Sequence, residues 1–249
     1  MAARLKLIVA YDGAPFSGWQ SQPNGNGIQD HLETALGKIC GEQVRVHGAG
    51  RTDAGVHALA QVAHADIPAR RYAPERWTKA LNGLLPPAIR IMKCRFVSEA
   101  FHARFSAKGK IYRYRIWNAE VELPLEHGRV WHIREPVESS VIADVAPVFV
   151  GRHDFSGFAA NRGAPVSDTM RTIRSVRIRR SGPLITIEFD GEGFLYKMAR
   201  MMTAVLVQAG QGRISRAEIR QRLANNSRVI TSSREVAPAA GLFLFRVRY

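Results

Sequence analysis

The chain has 249 residues, 46% of them hydrophobic. It can therefore bury about 70–75% of its unfolded surface, and it needs neither a disulfide nor a metal to fold. Its 36 Lys and Arg against 21 Asp and Glu give a formal net charge of +15, which predicts a polyanionic partner and favours nucleic acid over a merely solvated surface. No apolar run approaches the roughly 20 residues that span a bilayer. Two distant cysteines indicate a reduced, cytoplasmic protein.

The first part of the chain alternates strands and helices. The alternation in LKLIVAYD predicts a strand with Leu5, Leu7 and Val9 on one face. Apolar residues at helical spacing predict a helix over IQDHLETALGKIC, which Gly41 ends. Further along we predict strands over QVRVH, ALAQVAHAD and IRIMKCRFV, and a helix over PERWTKALNGLL that begins at Pro74.

A second series of elements begins near residue 108. It starts with the strand KIYRYRIW, followed by the helical stretch VESSVIADVAPVFVG, which Pro147 must end or bend. RTIRSVRIRR and LITIEFD predict a hairpin across Ser181, Gly182 and Pro183. Next come a long helix over FLYKMARMMTAVLVQAG with core-filling methionines, a helix capped by Ser215 and Glu218, and the strand LFLFRVRY.

These patterns predict two successive halves, residues 1–107 and 108–249. Hairpins and short strands favour an α+β fold, with a mixed, mostly antiparallel sheet flanked by helices, over a doubly wound parallel sheet.

The stretch GAGRTDAGVHA places one carboxylate, Asp53, among three glycines, with Arg51 two positions before it and His57 four after. A turn cap is the simplest interpretation, because short polar residues often cap turns. A reactive carboxylate is the alternative, since glycines let the backbone approach a ligand and a guanidinium keeps a carboxylate ionised. Arg51 and Arg200 are the candidate guanidinium groups.

Other chemistries lack their usual spacing. There is no HExxH, no CxxC and no cluster of carboxylates, so we predict no metal site. GAGRTDAG lacks the ending of a P-loop, and no Ser or Cys lies in a nucleophile motif. The glycines of GEGFLYKMAR could offer amides to a phosphate, although a helix entry turn explains them as well.

The strand KIYRYRIW combines aromatic and basic residues. Alternation places Tyr112 and Tyr114 on one face, with Arg113 and Arg115 on the other. A tyrosine near an acid can stack an extruded base, or it can simply pack within the sheet. The arginine face and RSVRIRR are candidate phosphate contacts, and a solvated strand face is the equal alternative.

Taken together, these strings resemble the tRNA pseudouridine synthase A family. AYDGAPFSGWQSQP resembles its opening strand and loop, and GAGRTDAGVHALAQVAH resembles its active-site segment. The strings FHARFSAKGKIYRYRI, GRHDFSGF, GEGFLYKMAR and APAAGLFLFRV follow in the family's order, so the likeness spans almost the whole chain. Two departures are MARMMTAVLV, which lacks a small glycine that the family often carries, and Pro147 within a family helix.

The resemblance implies a pseudouridine synthase fold of two similar halves and isomerisation of uridines 38, 39 and 40 in the anticodon stem-loop of tRNA. It implies that Asp53 is the catalytic aspartate, that Tyr112 packs against the target base, that Arg51 helps hold the flipped nucleotide's place, and that Arg200 pairs with Asp53. It further implies a homodimer in the cytoplasm, without metal or other cofactor.

Two other functional classes remain to be compared. A non-catalytic RNA-binding module would explain the charge and the tyrosines but not a lone acid in a basic groove. A metal-dependent nuclease would need converging carboxylates, whereas the 21 acids of this chain do not cluster.

Overall fold

The structure is a computed structural model that describes residues 3–23, 25–68, 72–160, 168–224 and 236–249. Its strands and helices, in chain order, are β1 (Ala3–Tyr11), α1 (Ile28–Cys40), β2 (Val46–Gly48), β3 (His57–Ile67), α2 (Pro74–Leu84), β4 (Ile89–Val97), β5 (Gly109–Asn118), β6 (Trp131–Ile133), α3 (Ser139–Val145), β7 (Gly151–Asp154), β8 (Met170–Ser181), β9 (Leu184–Gly191), α4 (Met198–Gly210), α5 (Arg216–Ala224) and β10 (Leu242–Arg248). They confirm an α+β chain. It divides into two compact units, Met1–Lys108 with Phe243–Tyr249, and Gly109–Leu242. The division into catalytic halves at 1–107 and 108–249 stays a prediction.

Unit 1 is built on the strand order β4–β1–β3–β10, and β2 also pairs with β3. The pairs within β4–β1–β3 and the pair β2–β3 are antiparallel, while β10 runs parallel to β3. Leu5, Leu7 and Val9 are fully buried, as the alternation of β1 predicts. Helix α1 ends at Gly41, which adopts the left-handed conformation that favours glycine, with φ of 77°. The buried residues Trp77 and Leu81 of α2 complete the core on this side.

Unit 2 has the strand order β5–β9–β8–β7, and β6 pairs with β5 in parallel. The other pairs are antiparallel, and Ser181 lies opposite Leu184 across the predicted hairpin. Helix α4 is buried over most of its length, and Met198, Met201 and Met202 are fully enclosed. The prediction that these methionines fill the core is confirmed.

One helix of unit 2 ends near Pro147 as predicted, and another begins later than predicted. Helix α3 stops at Val145, and Pro147 lies in a 3-10 turn over Ala146–Phe149, because proline cannot continue an α-helix. Helix α4 begins at Met198 rather than at Phe194, since Lys197 takes a left-handed conformation with φ of 60°. The Ser215–Glu218 cap forms as predicted, with the Ser215 amide donating to Glu218 Oε2 at 2.7 Å.

Candidate active site

Asp53 lies in the loop that joins β2 to β3, two antiparallel strands of unit 1. The Val56 amide donates to the Asp53 carbonyl at 3.1 Å and closes a tight turn. Gly55, inside the turn, has a φ of 76°, a conformation that side chains rarely adopt. The Asp53 backbone thus takes part in a tight turn, which fits either interpretation of its side chain. The Asp53 side chain is nevertheless only half-buried, so a ligand can reach its carboxylate.

The residues flanking Asp53 are held from several directions. The Thr52 carbonyl accepts a hydrogen bond from the Trp19 amide at 3.0 Å, and the Thr52 hydroxyl lies 2.7 Å from the Tyr11 hydroxyl. The Gln61 side chain donates to the Gly50 carbonyl at 2.8 Å. Burial raises the pKa of Tyr11, which therefore keeps its proton and can share it with Thr52. The backbone around Asp53 is consequently fixed before any substrate arrives.

The segment after β1 lies against this loop. Gly18 has a φ of 96°, and a Cβ built on it would lie 2.8 Å from the Thr52 carbonyl oxygen. No residue with a side chain fits there without displacing the loop that carries Asp53. Sequence reasoning quoted this segment, AYDGAPFSGWQSQP, without assigning it a role. The adjacent Gly and Trp of SGWQ could have indicated that this segment supports the Asp53 loop, but the support itself is visible only in the tertiary contacts.

His57, four positions after Asp53, is a buried structural residue. Its Nδ1 accepts a hydrogen bond from the Gly13 amide at 3.0 Å, and its ring stacks on Phe243 with centroids 4.6 Å apart. Among the described residues, no group of three or more His, Cys, Asp or Glu side chains is arranged to hold a metal ion. His57 thus anchors the start of β3.

The other predicted site residues occupy different environments. Arg51 is exposed in the same loop as Asp53. Tyr112, on β5 of unit 2, is buried and meets Phe194 edge to face, with ring centroids 4.8 Å apart. Phe194 is half-buried in the stretch that leads into α4. Sequence reasoning did not single out Phe194, although it belongs to the quoted string GEGFLYKMAR.

Arg200 lies in the first turn of α4, and its Nε donates to the Ala237 carbonyl at 2.7 Å. Burial raises the pKa of Tyr114, and the positive charge of Arg200 opposes that rise. The Tyr114 hydroxyl donates to the Pro238 carbonyl at 2.7 Å. Arg200 thus ties α4 to the segment before β10. Asp53 and Arg51 belong to unit 1, and Tyr112 and Arg200 to unit 2, so their roles around one substrate stay predictions.

The predicted exposed arginine face of β5 differs from expectation. Arg113 pairs with Glu188 at 3.0 Å, and Arg115 pairs with Glu126 at 2.7 Å. The register of the β5–β9 pair places Glu188 directly opposite Arg113, which the sequence pattern could not reveal. In the RSVRIRR strand, Arg174 likewise lies 3.4 Å from Asp190. These three arginines are therefore paired with carboxylates within unit 2, whereas Arg177 and Arg179 of β8 are exposed.

Known proteins are similar to this chain over most of its length. The family model described as "tRNA pseudouridine synthase" matches residues 7–106 and 145–249, which include Asp53 and Arg200. The chain therefore belongs to the tRNA pseudouridine synthase family, a family of isomerases.

Individual relatives are similar over almost their whole length. A tRNA pseudouridine synthase A of Akkermansia muciniphila is 44% identical over 99% of this chain and 95% of its own. The proteins of the same name from Solidesulfovibrio magneticus and Nitrobacter hamburgensis are 44% and 42% identical, each over 99% of this chain, and over 91% and 99% of their own lengths. None of the helices in the described part of the chain has the length and apolarity that crossing a membrane requires.

Proposed function

We propose that this chain isomerises uridine to pseudouridine in the anticodon stem-loop of tRNA and that Asp53 carries the chemistry. The observation that supports the proposal most directly is the Asp53 loop. Trp19 and Gln61 hold its backbone and Tyr11 holds the Thr52 side chain, while the Asp53 residue stays half-exposed. A turn cap alone would need no such support, whereas a reactive group needs to be held in place for its substrate.

The reaction breaks the bond between N1 of uracil and the ribose, turns the base and forms a bond from C5 to the same carbon. The C5 proton is lost and N1 gains one, so atoms balance without a co-reactant and no cofactor is required. The carboxylate of Asp53 can attack the sugar, attack the ring or remove a ribose proton. Each of these steps uses the same pair of carboxylate oxygens, presented from a fixed backbone.

The uridine must leave the base stack before it reaches a protein side chain, which costs a few kcal/mol. We assign Tyr112 to pack against the extruded base, because it belongs to an aromatic pair with Phe194 next to the start of α4. Arg51, exposed beside Asp53, holds the place of the nucleotide. We assign Arg200, as the family resemblance implies, to be the guanidinium partner of the Asp53 carboxylate.

The experiment that tests this proposal uses unmodified tRNA and the purified chain in buffer containing a metal chelator. We expect pseudouridine at positions of the anticodon stem-loop in wild-type protein. Asp53→Asn should be slower by at least about 10³-fold, while its affinity for tRNA stays within about twofold, since the amide keeps the shape and removes the charge. Asp144→Asn, an exposed carboxylate on α3, is the matched control and should remain active.

Turnover of Asp53→Asn near the wild-type rate would refute a chemical role for this residue. Tight binding of tRNA by wild-type protein without any pseudouridine would support the rival, a non-catalytic RNA-binding module.

We also propose that the protein works as a homodimer in the cytoplasm, as the family resemblance implies. Light scattering of the purified chain distinguishes a dimer from the 27.7 kDa monomer. A monomeric mass at the concentrations used for the assay would contradict the dimer and leave the chemistry of Asp53 untouched.

A further inference from the structure

The face of the unit 1 sheet that bears Lys6 carries a row of basic side chains. In antiparallel pairs, directly opposed residues project from the same face. Arg95 of β4 is opposed to Lys6 of β1, Lys6 to His64 of β3, and His64 to His47 of β2. The row therefore crosses four neighbouring strands. The alternate residues of β1 point to the other face, which is the buried core.

A cavity of about 260 Å³ lies on this face, lined by Lys6, Ile8, Lys93 and Arg95. We call it the cationic cavity. It has room for a hydrated phosphate group, which would meet the charged ends of these side chains above walls formed mainly by their aliphatic stems. Lys93 and Arg95 are exposed, so their charged ends can reach a ligand of that size.

The charge of the cationic cavity is not neutralised within the described ranges of the chain. No carboxylate there pairs with Lys6, Lys93 or Arg95, and the nearby Asp66 is held by Arg4 at 2.7 Å. Burial and the charge of Arg95 lower the pKa of Lys6, as expected for cations that lack an anion between them. A phosphate would supply the missing negative charge.

Aromatic rings border the cationic cavity on its β3 side. The Lys6 ammonium lies 4.0 Å from the Tyr249 ring centroid and 4.7 Å from that of Phe101. The His102 and Phe105 rings are tilted by 31° to each other, with centroids 4.3 Å apart, and Phe105 is 77% exposed. We call Phe101, His102, Phe105 and Tyr249 the aromatic rim. Uncompensated cations beside an exposed ring are the combination that binds unpaired nucleotides, through phosphate contacts and base stacking.

We infer that this face binds an unpaired stretch of the tRNA substrate, with phosphates in the cationic cavity and a base stacked on Phe105. The inference rests on the proposed function, which makes tRNA the partner. Lys6 lies five residues before Tyr11, whose hydroxyl contacts Thr52 beside Asp53. That separation is about 17 Å along a strand. The nucleotides bound here are thus distinct from the uridine that Asp53 isomerises.

The test measures the affinity for unmodified tRNA over a range of salt concentrations. The double variant Lys93→Gln/Arg95→Gln should bind about tenfold more weakly at 0.15 M salt, and its slope of log affinity against log salt should fall by about two. The matched control is Lys38→Gln/Lys79→Gln, which removes the same charge from exposed positions of α1 and α2. Its affinity should stay within about twofold of wild type. Equal losses in the two double variants would show a general charge effect and overturn the inference.

The stacking contact is tested separately with Phe105. Phe105→Ala should weaken tRNA binding at least about fivefold without changing the salt slope, and Phe105→Tyr should restore it. Thermal melting of each variant checks that the fold persists. Wild-type affinity in Phe105→Ala would exclude the stacked base.

The inference and the proposed function fail in different ways. Suppose that wild-type protein makes no pseudouridine but Lys93→Gln/Arg95→Gln loses tRNA affinity. The inferred tRNA contact at the cationic cavity is then supported, and the proposed function is refuted. If wild-type protein makes pseudouridine and the variants bind tRNA as wild type does, only the inferred tRNA contact at the cationic cavity is refuted.

Discussion

The basic residues on the sheets of the two units have different partners. In unit 2, Arg113 and Arg115 of β5 each pair with a glutamate at 3.0 Å or less. In unit 1, Lys93 and Arg95 of β4 line an open cavity, and within the described residues no carboxylate pairs with either of them. An arginine in a salt bridge already has an anionic partner within the protein, whereas a cation without a carboxylate partner is available to bind a phosphate.

This contrast changes where RNA contacts are expected. β5 and the RSVRIRR strand both contain several arginines. From the sequence alone, phosphate binding and a solvated strand face are equally good interpretations of these arginines. Cross-strand register decides which of them remain available. Arg177 and Arg179 stay exposed on β8, but Lys93 and Arg95 of β4 also line a cavity beside aromatic rings. We accordingly assign backbone binding to the sheet of unit 1, and to the sheet of unit 2 the contact between Tyr112 and the base.

Within this comparison of the two sheets, the largest expected effect concerns Tyr112. Tyr112→Ala removes the ring that we place against the extruded base and should lower the isomerisation rate about 100-fold, whereas Tyr112→Phe should keep it within about threefold. Single-turnover rates with saturating enzyme measure this difference. If Tyr112→Phe were as slow as Tyr112→Ala, the hydroxyl and not the ring would be required.

The second prediction concerns pH and the basic row of unit 1. Burial, and then the charges of Arg4, His102 and His47, lower the pKa of His64 to about 4, while Asp66 opposes the shift. The unfolded chain therefore binds more protons than the folded chain between pH 6.5 and 4, so stability rises with pH across that window. Going from pH 6.5 to 5 should cost about 2 kcal/mol and lower the melting temperature by about 4–8 °C.

The matched variant is His64→Gln, which lacks the titrating ring. Its melting temperature should depend less on pH over the same interval. Parallel curves for wild type and His64→Gln would show that other groups cause the acid sensitivity.

The smallest expected effect separates structural from RNA-binding arginines. Arg113→Gln/Arg115→Gln should change the affinity for tRNA by less than about twofold, because the two arginines that it replaces already have carboxylate partners in the wild-type protein. It should lower the free energy of unfolding by about 1–2 kcal/mol, since both pairs are partly buried. Chemical denaturation and tRNA titration measure the two quantities. An affinity loss as large as that of Lys93→Gln/Arg95→Gln would remove the distinction between the two sheets.

Much of the fold follows from local patterns. The alternation of β1, the glycine that ends α1, the hairpin at Gly182 and the capping box at Ser215 are all found as predicted. Each depends on residues close together in the chain, so a short window of sequence contains the physical cause. The start of α4 was placed too early, because nothing in the apolar pattern signals that Lys197 adopts a left-handed conformation.

The amino-acid sequence alone was enough to single out Asp53, its glycine-rich loop and the family to which the chain belongs. It also predicted an α+β chain with a polyanionic partner, because composition and short motifs express chemical type directly. The support of the loop by Trp19, Tyr11 and Gly18, the pairing of Arg113 with Glu188, and the uncompensated cations at Lys93 and Arg95 required the tertiary structure. These features depend on which distant residues become neighbours, and that is set by strand register and packing rather than by local spacing.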